Sequence, residues 1–315
     1  MQKYMNRPHL RITSTPEKDR TEERRKTFPV FYNVFTEPES DGSLTKSIVD
    51  EQMKRIRAFH QVFVRSIGKP IQIENATIQI ENATILQHDD EDHEPQTLGL
   101  LYQHCVENPS DTVVYLHSKG SFHAKQENNR LRRFLTRGAL SEECAHMPDQ
   151  CNICSSRFSP LPHPHTSGNM WVAKCVYVRK LINPIEFQQK MEDIFKDGDS
   201  IKGIAPEVVD KIHPSAFGLG RYAAEHWINS HPSAVPCDLA SDDYKYTWSY
   251  DGVPDEDFQI DLKTAPRFEE WVYQMGHHAV IDPLRIQQEY LALYNESTPK
   301  IGGVGIFTRA HIRGN

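Results

Sequence analysis

Apolar residues along this chain fall into short runs separated by polar, turn-forming stretches. The first run covers 28–35, Phe-Pro-Val-Phe-Tyr-Asn-Val-Phe. Its aromatic and β-branched content predicts a strand. After a turn over 37–42, Ser43 or Thr45 can cap a helix with Ile48, Val49, Met53 and Ile56 on one side, at spacings near the helical period. Val62, Phe63 and Val64 make a second strand, closed by Gly68 and Pro70. Thr97 caps a further helix that offers Leu100, Leu101 and Cys105 to a core. That helix leads into Val113, Val114, Tyr115 and Leu116. Four consecutive apolar side chains predict a strand buried on both faces. The order β-α-β-loop-α-β predicts an α/β fold with a parallel sheet and right-handed crossovers.

At the end of the 113–116 strand the chemistry changes. His117, Ser118, Lys119, Gly120 and Ser121 follow at once. Ligands of open α/β sheets bind beyond the carboxyl ends of the strands. A cation, an imidazole, two hydroxyls and a glycine there suit an anion, most simply a phosphate. Asn128 or Asn129 can cap the next helix. It carries Leu131, Phe134 and Leu135 on one face and Arg130, Arg133 and Arg137 on another. Helix N-termini and guanidinium forks both favour phosphate oxygens. The plain alternative is a buried strand, a loop and a solvated basic helix.

Downstream, residues 166–178 read as a polar turn running into a strand with Trp171. Asn183-Pro184 starts a helix containing Phe187 and Met191, and another helix covers 222–229 with Glu225 in its middle, ended by His231-Pro232. The aromatic, acidic tail holds two candidate helices, 267–275 and 283–294. Residues 1–26 are charged and nearly free of large aliphatics, as in a loosely packed segment. A domain over 27–240 and a packed extension over 241–315 are expected. QIENATI occurs twice in 72–85. It reads as a duplication in an exposed loop or hairpin, part of a variable stretch over 71–95. The acids and histidines of 88–94 read as a solvated loop, with a metal site as the alternative.

Composition narrows the partners. Net charge is −7 and the chain is 38% hydrophobic, so a broadly basic nucleic-acid surface is not expected. No apolar window is long enough to span a bilayer. Six cysteines in 315 residues define no disulfide framework by count alone. Cys144, Cys151 and Cys154 with His163 and His165, in a loop over 144–165, invite a zinc reading. The histidines, however, are one residue apart and flanked by prolines. Disulfides or free thiols are therefore the expected state of Cys144, Cys151, Cys154 and Cys175. Glycosylation sequons stand at Asn75, Asn82 and Asn295, and a cytoplasmic and a Golgi-lumen location both stay open.

Three blocks together resemble the rhamnan-synthesis-type glycosyltransferases and related algal and stramenopile sequences. Tyr115-Leu116-His117-Ser118-Lys119-Gly120-Ser121 with its arginine-rich helix is similar to their HxK segment. Ser167-Gly168-Asn169-Met170-Trp171 is similar to their small-Gly-x-x-aromatic segment. The run 221–228, with Arg221, Glu225 and Trp227, resembles an R-x-x-x-E-x-W helix. Residues 31–34 and Glu51-Gln52 fit the opening, so the likeness covers roughly 28–235.

The resemblance implies a GT-A-like, Rossmann-type sheet, mixed and mostly parallel, flanked by helices. It implies transfer of a sugar from a nucleotide-diphosphate donor to a glycan or other hydroxyl acceptor. Most such enzymes hold a divalent metal with a DxD motif. Here His117-x-Lys119 stands in that place, so no metal is expected and the lysine ammonium supplies the charge. On this expectation His117, Lys119, Ser121, Arg130 and Arg133 bind the donor phosphates. Glu225 is the base, and Asn169 and Trp171 contact sugars, Trp171 by stacking. The alternatives are a non-catalytic glycan- or partner-binding protein of the same fold, or a zinc-stabilised interaction module.

Overall fold

The computed structural model describes residues 28–57, 59–70, 83–91, 94–122, 124–159, 164–196, 222–239 and 263–264. The segments 1–26 and 265–315, with the two candidate tail helices, lie outside the described residues, as do Arg221 and most of the duplicated heptads.

The frame is a parallel unit built as the apolar runs require. Strand β1 (Phe28–Thr36) is buried along nearly its whole length, as is β2 (His60–Gly68). They pair in parallel, and helix α1 (Ser43–Met53) crosses between them. Thr45, Ile48, Gln52 and Met53 form its buried side. Strand β2 begins and ends beyond the three-residue apolar run because His60, Arg65 and Ser66 are themselves buried. β3 (Ala83–Asp89) pairs in parallel with β2. It starts in the second QIENATI copy and occupies a stretch expected to be hairpin and loop. Its middle residues are all exposed, so hydrophobicity does not reveal it.

Helix α2 (Glu94–Glu107) starts three residues before the predicted cap. Pro95 suits the first turn of a helix, which needs no amide hydrogen there. Leu98, Leu101 and Cys105 are buried, on one face at helical spacing. β4 (Thr112–His117) buries Val113, Val114, Tyr115 and Leu116 completely and pairs with β1, on the side opposite β2.

The second half completes the sheet. Helix α3 (Gln126–Ala139) begins before Asn128, with Lys125 at its cap, and a short α4 (Glu142–Ala145) follows. Then come β5 (Ile153–Ser155), the paired β6 (Phe158–Ser159) and β7 (His165–Thr166), and β8 (Trp171–Lys174). The expected strand over 171–178 turns at Cys175 into α5 (Cys175–Val178). α6 (Pro184–Lys196), α7 (Tyr222–Trp227), β9 (Pro236–Asp238) and β10 (Lys263–Thr264) complete the described elements. The eight-stranded sheet has the order β10-β9-β5-β8-β4-β1-β2-β3. Its β4-β1-β2-β3 half is parallel, and β8 runs antiparallel to both β4 and β5.

One core lies on each face. α1 and α3 cover Val30, Tyr32, Val114, Leu116 and Val172. α2, α5, α6 and α7 cover Phe31, Tyr115, Trp171 and Ala173. The six cysteines form three disulfides: Cys105–Cys175, Cys144–Cys154 and Cys151–Cys237. The Cys-x2-Cys pair is thereby split between two bridges, which corrects the zinc-module alternative. A cysteine sulfur held in a disulfide is no longer a thiolate, the form that ligates zinc. Among the described residues no helix is long and apolar enough to cross a membrane.

Candidate functional site at the carboxyl end of β4

The strand order sets the location. β1 leads to β2 on one side, while β4 lies on the other, so the crossovers diverge between β1 and β4. Such a divergence opens a crevice at the carboxyl ends of the two strands. Asn33 of β1 and His117 of β4 are register partners at this point. Arg65 is the partner of Asn33 on the other side. The three residues therefore form one polar row on one face of the sheet.

Antiparallel β8 brings its own start to the same end, pairing Trp171 with Tyr115. The turn 167–170 thus lies beside His117. Gly168 has φ of 75° and Asn169 has φ of 51°, backbone conformations that permit the tight reversal. His117 Nε2 lies 2.7 Å from the Gly168 carbonyl. A carbonyl only accepts, so Nε2 carries a proton. Nδ1 then faces Glu94 Oε1 at 3.4 Å. Glu94 is further held by Asn169 Nδ2, which donates at 2.7 Å, and by the Tyr115 hydroxyl at 3.2 Å. Burial pushes the His117 imidazole below its ordinary value. Glu94 pulls it upward, Lys119 pushes it down, and the Gly168 carbonyl and Glu225 pull it upward.

The loop after β4 is tied from three sides. Ser118 donates its backbone amide to the Asn33 carbonyl. Its hydroxyl accepts from the Phe35 amide at 2.9 Å and lies 3.0 Å from the Ser121 hydroxyl. From α3, Arg132 Nη1 donates to the Lys119 carbonyl at 2.9 Å. From α1, Gln52 Nε2 donates to the His117 carbonyl at 3.2 Å and to Thr136 Oγ1 at 2.9 Å, while the Tyr32 hydroxyl donates to Gln52 Oε1. Among the described residues no carboxylate pairs with the Lys119 ammonium, and its chain passes 3.7 Å from where a Cβ on Gly168 would sit.

Helix α7 is anchored by its apolar side. Ala223, Ala224, His226 and Trp227 are buried. The Trp227 indole donates to the Ile182 carbonyl at 2.7 Å, and Asn229 donates to Thr166 Oγ1 at 2.8 Å. Glu225 remains half-buried, near enough to influence His117. His117 and Glu94 are thus in contact, and the charges of Lys119 and Glu225 both act on the imidazole.

Other expected site residues have different placements. Trp171 is fully buried, with its ring 5.4 Å from Tyr115 and 6.3 Å from Trp227. Its indole donates to Asn169 Oδ1 at 2.8 Å. It has no face left for a sugar, which corrects the stacking role. Asn169 is 1% exposed and spends its amide and carbonyl on Glu94 and Trp171, so it positions Glu94 rather than touching a sugar. Ser121 is buried and shapes the loop. Arg133 pairs with Glu51 at 3.1 Å, beside Arg132, which pairs with the same carboxylate at 3.2 Å. Arg130 is half-buried on α3.

Two residues central to this geometry did not emerge from the chain's pattern. Glu94 was read as one more acid in a loop. Its signal is the following proline, which marks a helix start. Arg132 lies outside the arginine stripe considered and is the buried one. Among the described residues no group of three or more His, Cys, Asp or Glu side chains is set to hold a metal ion.

No curated protein and no solved structure matches the chain. One family description does: a domain of unknown function, DUF8361, matches residues 31–299. That span covers most of the 315 residues, and the chain belongs to the DUF8361 family.

Proposed function

We propose that this protein is a glycosyltransferase with a GT-A-like fold. It moves a sugar from a nucleotide-diphosphate donor to a hydroxyl of a glycan acceptor, without a metal ion. What supports this reading is the place of His117 and Lys119 at the carboxyl end of β4, with the Glu94 carboxylate 3.4 Å from the imidazole and Glu225 close enough for its charge to act on it. In transfer, the bond from the anomeric carbon to the diphosphate oxygen breaks and a bond to the acceptor oxygen forms. Lys119 meets the negative charge that collects on the departing diphosphate. Glu225 takes the acceptor proton. An arriving diphosphate also opposes the burial and the Lys119 repulsion that hold His117 down, so it favours a second cation at the same place. Arg132 holds the Lys119 backbone and preorganises the loop. Three disulfides add a compartment to the proposal, since such bonds persist in oxidising lumens. A Golgi or related lumen suits both them and the sequons.

The test is a binding screen of UDP- and GDP-sugars, with and without EDTA, on wild type and Lys119→Ala. A charge-assisted contact contributes about 1.5–3 kcal/mol, so the variant should bind roughly ten- to a hundred-fold more weakly. EDTA should change nothing. If no nucleotide sugar binds, or the alanine variant binds them as tightly, the mechanism is wrong. Glu225→Gln should keep donor binding and lose turnover by about 10²–10⁴-fold.

A further inference from the structure

A groove of about 760 Å³ runs between the first turn of α2 and α6. We propose that it is a saccharide subsite that takes the acceptor glycan, an inference that rests on the transferase reading above. Its volume falls in the range of small-molecule sites.

The lining chemistry selects the ligand class. Gln96, Asn183, Gln188 and Gln189 contribute four amides. Gln188 and Gln189 donate to Glu192 and Asp193, and Asn183 Oδ1 accepts from the Ile185 amide, so each keeps its other amide atom for a sugar hydroxyl, which both donates and accepts. Glu186 and Glu192 add carboxylates, Glu186 paired with Lys190 one turn along at 3.4 Å, and none of the groove's own lining residues is lysine or arginine. Such a groove repels a diphosphate and accepts neutral polyhydroxyl chains. Ile185 is half-exposed on the wall and lies against Gly99. It offers a small apolar surface for the C–H face of a sugar ring. Gln96 Oε1 is buried with no hydrogen-bond partner among the described residues. A buried acceptor without a donor costs about 1–3 kcal/mol, and a turn of the Gln96 amide toward the groove would bring it to a ligand hydroxyl.

Continuity with the crevice comes from the chain itself. Pro95 and Gln96 follow directly on Glu94, whose carboxylate faces His117. An oligosaccharide lying along α6 would therefore end near the reacting centre. The charge contrast is consistent: Lys119 and His117 suit the anionic donor, while the amide and carboxylate groove suits the neutral acceptor.

The experiment uses saturation-transfer NMR on the full chain. The probes are neutral hexasaccharides of glucose, galactose, mannose and rhamnose. At least one should bind wild type. Gln189→Arg, on the exposed face of α6, and Gln96→Leu should each weaken that binding at least ten-fold. Circular-dichroism melting of both variants should match wild type, which reports that they fold, and UDP binding measured by calorimetry should be unchanged. If none of the hexasaccharides binds, or both variants bind them as wild type does, the subsite is refuted. The two ideas separate cleanly. Saccharide binding lost in the variants, with no nucleotide sugar bound by wild type, leaves the groove and removes the transferase. Nucleotide-sugar binding without saccharide binding does the reverse.

Discussion

Gly168→Ala tests how the crevice is held together. Gly168 sits at φ of 75°, where an alanine is strained by roughly 1–2 kcal/mol. The new methyl would also overlap Leu135 Cδ1. Leu135 is fully buried on α3, so it cannot swing away without disturbing the core beneath β4. Overpacking of this kind costs about 1–3 kcal/mol. Gly42→Ala is the control. Its φ is 79°, but the nearest atom to a new Cβ is Thr36 Cγ2 at 3.8 Å, so it carries the strain without the overlap. Both substitutions stiffen the unfolded chain by about 0.4–1 kcal/mol, which cancels in the comparison. Gly168→Ala should therefore be less stable than Gly42→Ala by about 1–3 kcal/mol. In thermal unfolding followed by circular dichroism that is a gap of roughly 2–12 °C. Because the Gly168 carbonyl receives the His117 Nε2 proton at 2.7 Å, Gly168→Ala should also weaken nucleotide binding while Gly42→Ala leaves it intact. Equal melting points for the two variants would refute the packing argument.

The remaining predictions concern charge, pH and redox state. Arg132 is 3% exposed, so Arg132→Met removes one of the two guanidinium partners of Glu51 and the donor to the Lys119 carbonyl, and should cost about 1–3 kcal/mol. Adding Glu51→Leu should recover part of that loss, and simple additivity in urea titrations would remove the coupling. Burial, then Arg57, holds His60 down at about 4, and burial, then Lys180, does the same to His231. Both therefore fold as neutral imidazoles. Their contribution is present above the unfolded value of about 6.5 and is lost as pH falls toward about 4. His60→Gln should flatten the fall in melting point over that window, and an unchanged slope would contradict the assignment. Cys105–Cys175 closes a loop of 70 residues, so C105S/C175S should cost about 4 kcal/mol. A melting point unchanged by the double substitution would mean the bridge contributes no stability.

Much of the frame is legible in the letters because local physics decides it. Runs such as Val113 to Leu116 can only be buried on both faces, and Leu101 and Cys105, four apart, share one helix face, although it is Leu98 rather than Leu100 that joins them in the core. From these follow the parallel unit, its crossovers and the end of β4 where a ligand would sit. β3 was not legible because its side chains are mostly exposed, so neither alternation nor a continuous apolar run marks it. Cysteine pairing was equally hidden, since six cysteines permit fifteen pairings and only the packing of β5, β9, α2 and α5 selects one.

The division runs through the site as well. His117 and Lys119 are fixed to the strand end by sequence adjacency alone. Whether a tryptophan faces a ligand or the core is a matter of which strands and helices close over it. Tyr115 and Trp227 close over Trp171, and its indole then orients Asn169, which orients Glu94. That relay links residues 77 positions apart in the chain, and no periodicity carries information over such a distance. Long-range pairing of β4 with β8 decided it, because a side chain's neighbours across a sheet depend on register, and register is a property of the folded whole.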